Sequence, residues 1–153
     1  MSVAFQKLNQ DWNAEPNAPN PRVKVQGEDL LLTFVVNPFI YHDFEEEDVG
    51  ILRFTRCEQY RLGPTNDEGW YRGQCRFSKL APKWGEFYEV KGDSSLLEEP
   101  IDWKVLKPRS GNARHFLFYF RDNTFECVAE ECIIEPTAEN SLLRTNKRIG
   151  VQG

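Results

Sequence analysis

Few residues in this chain have types and spacings suited to chemistry. The densest group is His42-Asp43-Phe44-Glu45-Glu46-Glu47-Asp48, one imidazole and five carboxylates within seven positions. Carboxylate oxygens suit a hard cation such as calcium or magnesium, but the loop spacing of an EF-hand and its central glycine are absent. That leaves metal as the minor reading, behind a solvated acidic loop and a contact surface for a basic protein made by Glu45, Glu46, Glu47 and Asp48. A second polar group is Thr65-Asn66-Asp67-Glu68-Gly69-Trp70, with Arg61 and Arg72 close by. Asn, Asp and Gly are turn residues there. Trp70, Asp67, Glu68 and Arg61 also make it a candidate recognition loop, because Trp and Arg are favoured at binding hot spots.

The third group is His115, Arg121, Asp122 and Glu126, set in and around an apolar run. A polar group on such a run needs a hydrogen-bond partner, so these residues read first as a satisfied network, with Glu126 near Tyr119 across a hairpin. Histidine-dependent hydrolysis would need His115 or His42 to meet a nucleophile, and the sequence sets none beside either. The chain has no Cys-x-x-Cys pair, no nucleophile elbow and no glycine-rich phosphate loop, so it gives no reason to expect a catalytic set, a metal or a cofactor.

Composition narrows the partner classes. The 153 residues suit one domain and can bury roughly two thirds of their unfolded surface. Aromatics make up 13%, with 11 Phe, 4 Trp and a single Met, so the expected interior is built of rigid rings. Nineteen Lys and Arg stand against 24 Asp and Glu, a net charge of −5 with no basic cluster, which argues against nucleic acid as a partner. No apolar run has signal-peptide or membrane-spanning length, so no membrane is expected and the predicted location is cytoplasmic. Cys57, Cys75, Cys127 and Cys132 are then expected as reduced thiols.

The elements that must position these groups are mostly strands. Phe5, Leu8 and Trp12 have the spacing of a short amphipathic helix over residues 4–12, and Asn13 to Pro21 reads as an extended connection. Arg22 to Gln26 and Leu30 to Val36 form a hairpin whose second strand is apolar on both faces, and Asn37-Pro38 ends it. Residues 39–49 read as a surface loop pinned by Phe39, Tyr41 and Phe44. Ile51 to Leu62 and Trp70 to Leu80 read as a second hairpin, with Leu52, Phe54, Tyr60 and Leu62 on one face of its first strand and Cys57 on the other. Strands follow at Glu86 to Lys91 and Ile101 to Leu106, and then a central hairpin over 114–130 with Asp122-Asn123 as its type I′ turn. In that register Phe125 and Val128 pair with Phe120 and Leu117. A helix over 125–135 competes with the second strand, which is favoured.

These segments predict a mainly β, single antiparallel domain of about eight strands, a sandwich or partly open barrel. It comprises an N-terminal helix or extended arm (1–21), a β core (22–135) and, over 136–153, either a C-terminal tail or an arm that docks on this chain or on a second copy. The function expected of such an object is binding another macromolecule without chemistry of its own, as a neutraliser of a basic toxin or enzyme does. One alternative is a small-ligand binder with its pocket inside the barrel. Another is a hydrolase-like enzyme using His115 or His42 with nearby carboxylates.

Overall fold

Strand β3 (Asp29–Val35) alternates strictly between buried and half-buried positions, which is the pattern of a pleated ribbon with one face on a core. In the computed structural model, which describes residues 3–64, 77, 83, 85–92, 97 and 103–145, it lies inside a four-stranded antiparallel sheet. Its neighbours are β2 (Arg22–Gln26) and β4 (Val49–Thr55), and β10 (Glu131–Ile134) pairs with the far side of β4. The expected hairpin is present, turned at Gly27 with φ +63°, a dihedral that glycine adopts without a Cβ clash. The second sheet has six strands in the order β1-β6-β8-β9-β5-β7, all antiparallel. They are β1 (Ala4–Lys7), β5 (Gln59–Pro64), β6 (Phe87–Lys91), β7 (Lys104–Val105), β8 (Arg114–Tyr119) and β9 (Asn123–Ala129).

The sheets face each other across an aromatic interior. From the four-stranded sheet Phe54 meets Phe116 at 5.3 Å and Phe125 at 5.4 Å, and Phe34 meets Phe118 at 5.3 Å between ring centroids. Trp12, fully buried, stacks on Phe34 and fills the same layer. The sheets do not close into a barrel, so the ligand cavity expected inside one has no barrel to occupy. A smaller apolar layer of Tyr88, Val90, Leu117, Tyr119 and Phe77 covers the other face of the six-stranded sheet, with Val3 and Phe5 against it.

Two apolar layers explain why residues 4–12 are not the predicted helix. Phe5 of the edge strand joins the outer layer, and Leu8, just past its end with its N–H still bonded to Phe87 O, joins the inner one, so residues three positions apart serve opposite faces of the sheet. The predicted strand from Ile51 to Leu62 is likewise two strands in different sheets. Arg56 at φ +48° breaks it, and Cys57 N bonds back to Glu28 O at 2.9 Å. The break turns Cys57 into the same core as Leu52 and Phe54 rather than onto the opposite face, while Tyr60 and Leu62 beyond it pack against that core as expected. β4 and β5 take their partners from β3, β10, β7 and β9; the strand expected at 70–80 lies outside the described residues apart from Phe77.

The central hairpin is present and buried, but its register differs from expectation by two residues. Phe118 faces Phe125, Leu117 faces Glu126 and Tyr119 faces Thr124, so Glu126 is not opposite Tyr119. Phe120 N donates to Asn123 O at 2.8 Å, which leaves Arg121-Asp122 as the turn, and neither Asp122 nor Asn123 takes the positive φ of a type I′ turn. A shift of two preserves the faces. Residues 125–134 are strand throughout apart from Glu130, where the chain passes from one sheet to the other, and Glu135 lies just past the end of β10. Within the predicted strand 101–106, only Lys104–Val105 pairs among the described residues.

Of the segment after β10, residues 136–145 dock on their own chain. Asn140 Oδ1 accepts from Ile51 N at 3.0 Å while its Nδ2 donates to Ile51 O and Glu135 O, and Leu142 of the 3-10 helix Ser141–Thr145 is fully buried. Gly50 lies beneath it. A Cβ there would approach Phe34 Cζ at 3.0 Å and Leu142 Cδ1 at 3.1 Å.

Candidate functional site

At the far end of β3 the backbone turns abruptly because Asn37 Oδ1 accepts from Phe39 N at 2.8 Å and from Ile40 N at 3.3 Å. Pro38, which has no N–H to give, fits the same turn. The turn sets two large apolar side chains in solvent, Phe39 at 56% and Ile40 at 68% exposure. The acidic segment folds back behind them. Asp48 Oδ2 accepts from Glu45 N at 2.8 Å, Asp48 N donates to Glu45 O, and Phe44 is buried beneath the loop. Of the three aromatics expected to pin this loop, Phe44 does so and Phe39 does not.

Two hollows flank the exposed pair. One, of about 410 Å³, is walled by Val35, Pro38, Phe39 and Ala18, with Glu15, Glu46 and Glu47 on its rim. The other, of about 470 Å³, takes in Ile40, Asn13, Asn17, Tyr119 and Arg121, and shares Glu15. Glu45, Glu46 and Glu47 are exposed, while Asp48 is half-buried and occupied in closing the loop. Among the described residues, no group of three or more His, Cys, Asp or Glu side chains converges as a metal site would require.

Of the other residues singled out from the sequence, Trp70, Asp67 and Glu68 lie outside the described residues. Arg61 is on β5, directly opposite Glu126 of β9, and its Nη1 donates to Glu126 Oε2 at 2.8 Å. His115 of β8 lies diagonally across from Glu126, with 2.8 Å between its Nε2 and Glu126 Oε1. A carboxylate held by a guanidinium only accepts, so the imidazole proton sits on Nε2. Glu126 is fully buried, and the rings of Trp103 and Phe77 stand 6.3 Å from the imidazole. Burial of one anion between a cation and a donor is a structural solution to an otherwise costly charge. Among the described residues no Ser, Thr or Cys side chain bonds to His115, and His42 is exposed on the acidic loop.

Sequence reasoning missed Phe39, Ile40 and Glu15 as members of one surface. The signal was Asn37-Pro38, which turns the chain sharply enough to leave the next two side chains without a core to enter. No protein-family model, curated protein or solved structure matches this chain.

Proposed function

We propose that this protein is a non-enzymatic binding module that engages a basic protein through the Phe39–Ile40 end of its sandwich. The observation that carries this reading is the adjacent exposed pair, held out by Asn37 and rimmed by Glu15, Glu46 and Glu47. Contiguous exposed apolar surface bordered by polar residues is characteristic of interaction sites. The apolar pair supplies desolvation and slows release, and the carboxylates steer a cationic partner and set the salt dependence of association. This revises the expected surface by making Phe39 the aromatic anchor beside the acidic residues.

A photo-crosslinking amino acid at position 39, compared with one at Val25 on β2, tests the location. Position 39 should trap a basic protein that position 25 does not. With that partner purified, Glu46→Lys combined with Glu47→Lys should lower the association rate and flatten its salt dependence, and Phe39→Ser should speed dissociation. Equal trapping at both positions, or unchanged kinetics in these variants, would overturn the assignment.

A further inference from the structure

Five glutamates are buried among the described residues: Glu58, Glu86, Glu89, Glu126 and Glu135. Four of them hold a cation. Lys7 pairs with Glu86, Arg114 with Glu89, Arg61 with Glu126 and Arg53 with Glu135. Glu58 differs. It is 3% exposed, and its side-chain partners are both from Ser110, whose N donates to Oε1 at 3.2 Å and whose Oγ donates to Oε2 at 2.7 Å. Lys107, the nearest lysine in sequence beyond β7, is directed to Glu28 instead.

A buried carboxylate without a countercharge is costly, and each of its oxygens can accept more than one donor. The backbone fixes this residue in place: Glu58 N donates to Val128 O at 2.7 Å, and its carbonyl accepts from Leu106 N and Lys107 N. Glu58 and Ser110 both line a hollow of about 320 Å³ whose other walls include Leu97, Ala113 and Val128, with Arg109 also at its edge. The hollow therefore joins a buried anion, a short apolar wall and room ample for a short hydrocarbon chain.

From this we infer that the Glu58 hollow binds a small aliphatic ammonium compound, its ammonium on the Glu58 carboxylate and its hydrocarbon against Leu97, Ala113 and Val128. An amino acid would add a carboxylate facing Arg109; a simple amine would not. The site lies at the β4–β5 crossing, beside Glu28, whereas the acidic loop follows the opposite end of β3. It stands or falls independently of the protein-binding surface.

The probes are n-butylamine, norleucine and the isosteric uncharged n-butanol, titrated at neutral pH into the full chain while the amide resonances of Ser110 and Gly111 are followed by NMR. Saturable shifts are expected with n-butylamine and none with n-butanol. Tighter binding of norleucine assigns the amino-acid form; equal or weaker binding assigns the simple amine. Glu58→Gln should weaken the binding at least about tenfold, the loss expected for a hydrogen bond to a charged group. Should that variant not fold, Ala113→Phe fills the hollow, leaves the carboxylate in place and should abolish the shifts. Identical behaviour of n-butylamine and n-butanol, or wild-type affinity in a folded variant, would overturn the inference.

Discussion

Phe118 shows what a single ring contributes here. Its centroid lies 4.3 Å from that of Phe120, 5.1 Å from Phe87 and 5.3 Å from Phe34, and the side chain has no exposed surface. Truncation would open a cavity that neighbouring rings cannot collapse into, so Phe118→Ala should cost about 3 to 5 kcal/mol in chemical denaturation. Charge follows a different rule. Glu126→Ala removes the buried carboxylate that Arg61 and His115 share and should also lose about 3 to 5 kcal/mol, as breaking a buried pair does. Glu58→Gln removes an anion that pairs with no cation among the described residues, so the same measurement should find it neutral or stabilising. The cysteines behave as core residues: Cys57, Cys127 and Cys132 carry free, buried thiols, and burial pushes Cys127 and Cys132 well above the ordinary value of 9.0. A thiolate-seeking reagent at mildly alkaline pH should therefore label none of these three until the chain is unfolded, and rapid native labelling at any of them would contradict their placement.

Elements were legible where one apolar face and one turn signal coincided. The β2–β3 hairpin combines an apolar second strand with the turn at Gly27, and β8–β9 combines two apolar segments with a polar break, so both were readable despite the two-residue error in the second register. That error arose because Asp122-Asn123 matches a two-residue turn by composition, while the structure closes on Phe120 and Asn123. The β4–β5 break was hidden. Alternation continues through it, and the residue that turns the chain is Arg56, not glycine or proline. β1 was misread because the helical spacing of Phe5 and Leu8 equally serves an edge strand with Phe5 on the outer layer and Leu8, just past its end, in the inner one. As for the site, the acidic loop was legible as a loop, whereas the exposure of Phe39 was not, because an aromatic among polar residues reads as an anchor. The docked 3-10 helix gives the test at this scale. Gly50→Ala would drive a methyl into Phe34 and Leu142, so it should destabilise by about 1 to 3 kcal/mol and speed hydrogen exchange around Asn140.

At the scale of the whole molecule, acid and base act unequally. Burial raises the Tyr88 hydroxyl from its ordinary 10.0 to about 12, and it raises the Cys127 and Cys132 thiols. Raised values mean that the fold favours the protonated, neutral forms. That stabilisation is complete below the ordinary values and is lost as pH climbs through them toward the folded ones, so unfolding free energy should decline from about pH 9 upward. Denaturation profiles that stay flat across that range would contradict the burial of these groups. The strand order of the six-stranded sheet has a consequence of another kind, for the order of assembly. β8 and β9 lie in its middle, with β1 and β6 on one flank and β5 and β7 on the other, although all four flanking strands precede them in the chain. During synthesis those flanks emerge with nothing to join them, and their unpaired edges stay open to other chains until the hairpin at 114–129 arrives as the keystone. The β2–β3–β4 meander needs only neighbours and can close much earlier. A chain that ends before residue 114 should therefore hold the β2–β3–β4 meander beside ribbons with open edges, and it should aggregate more readily than the full chain.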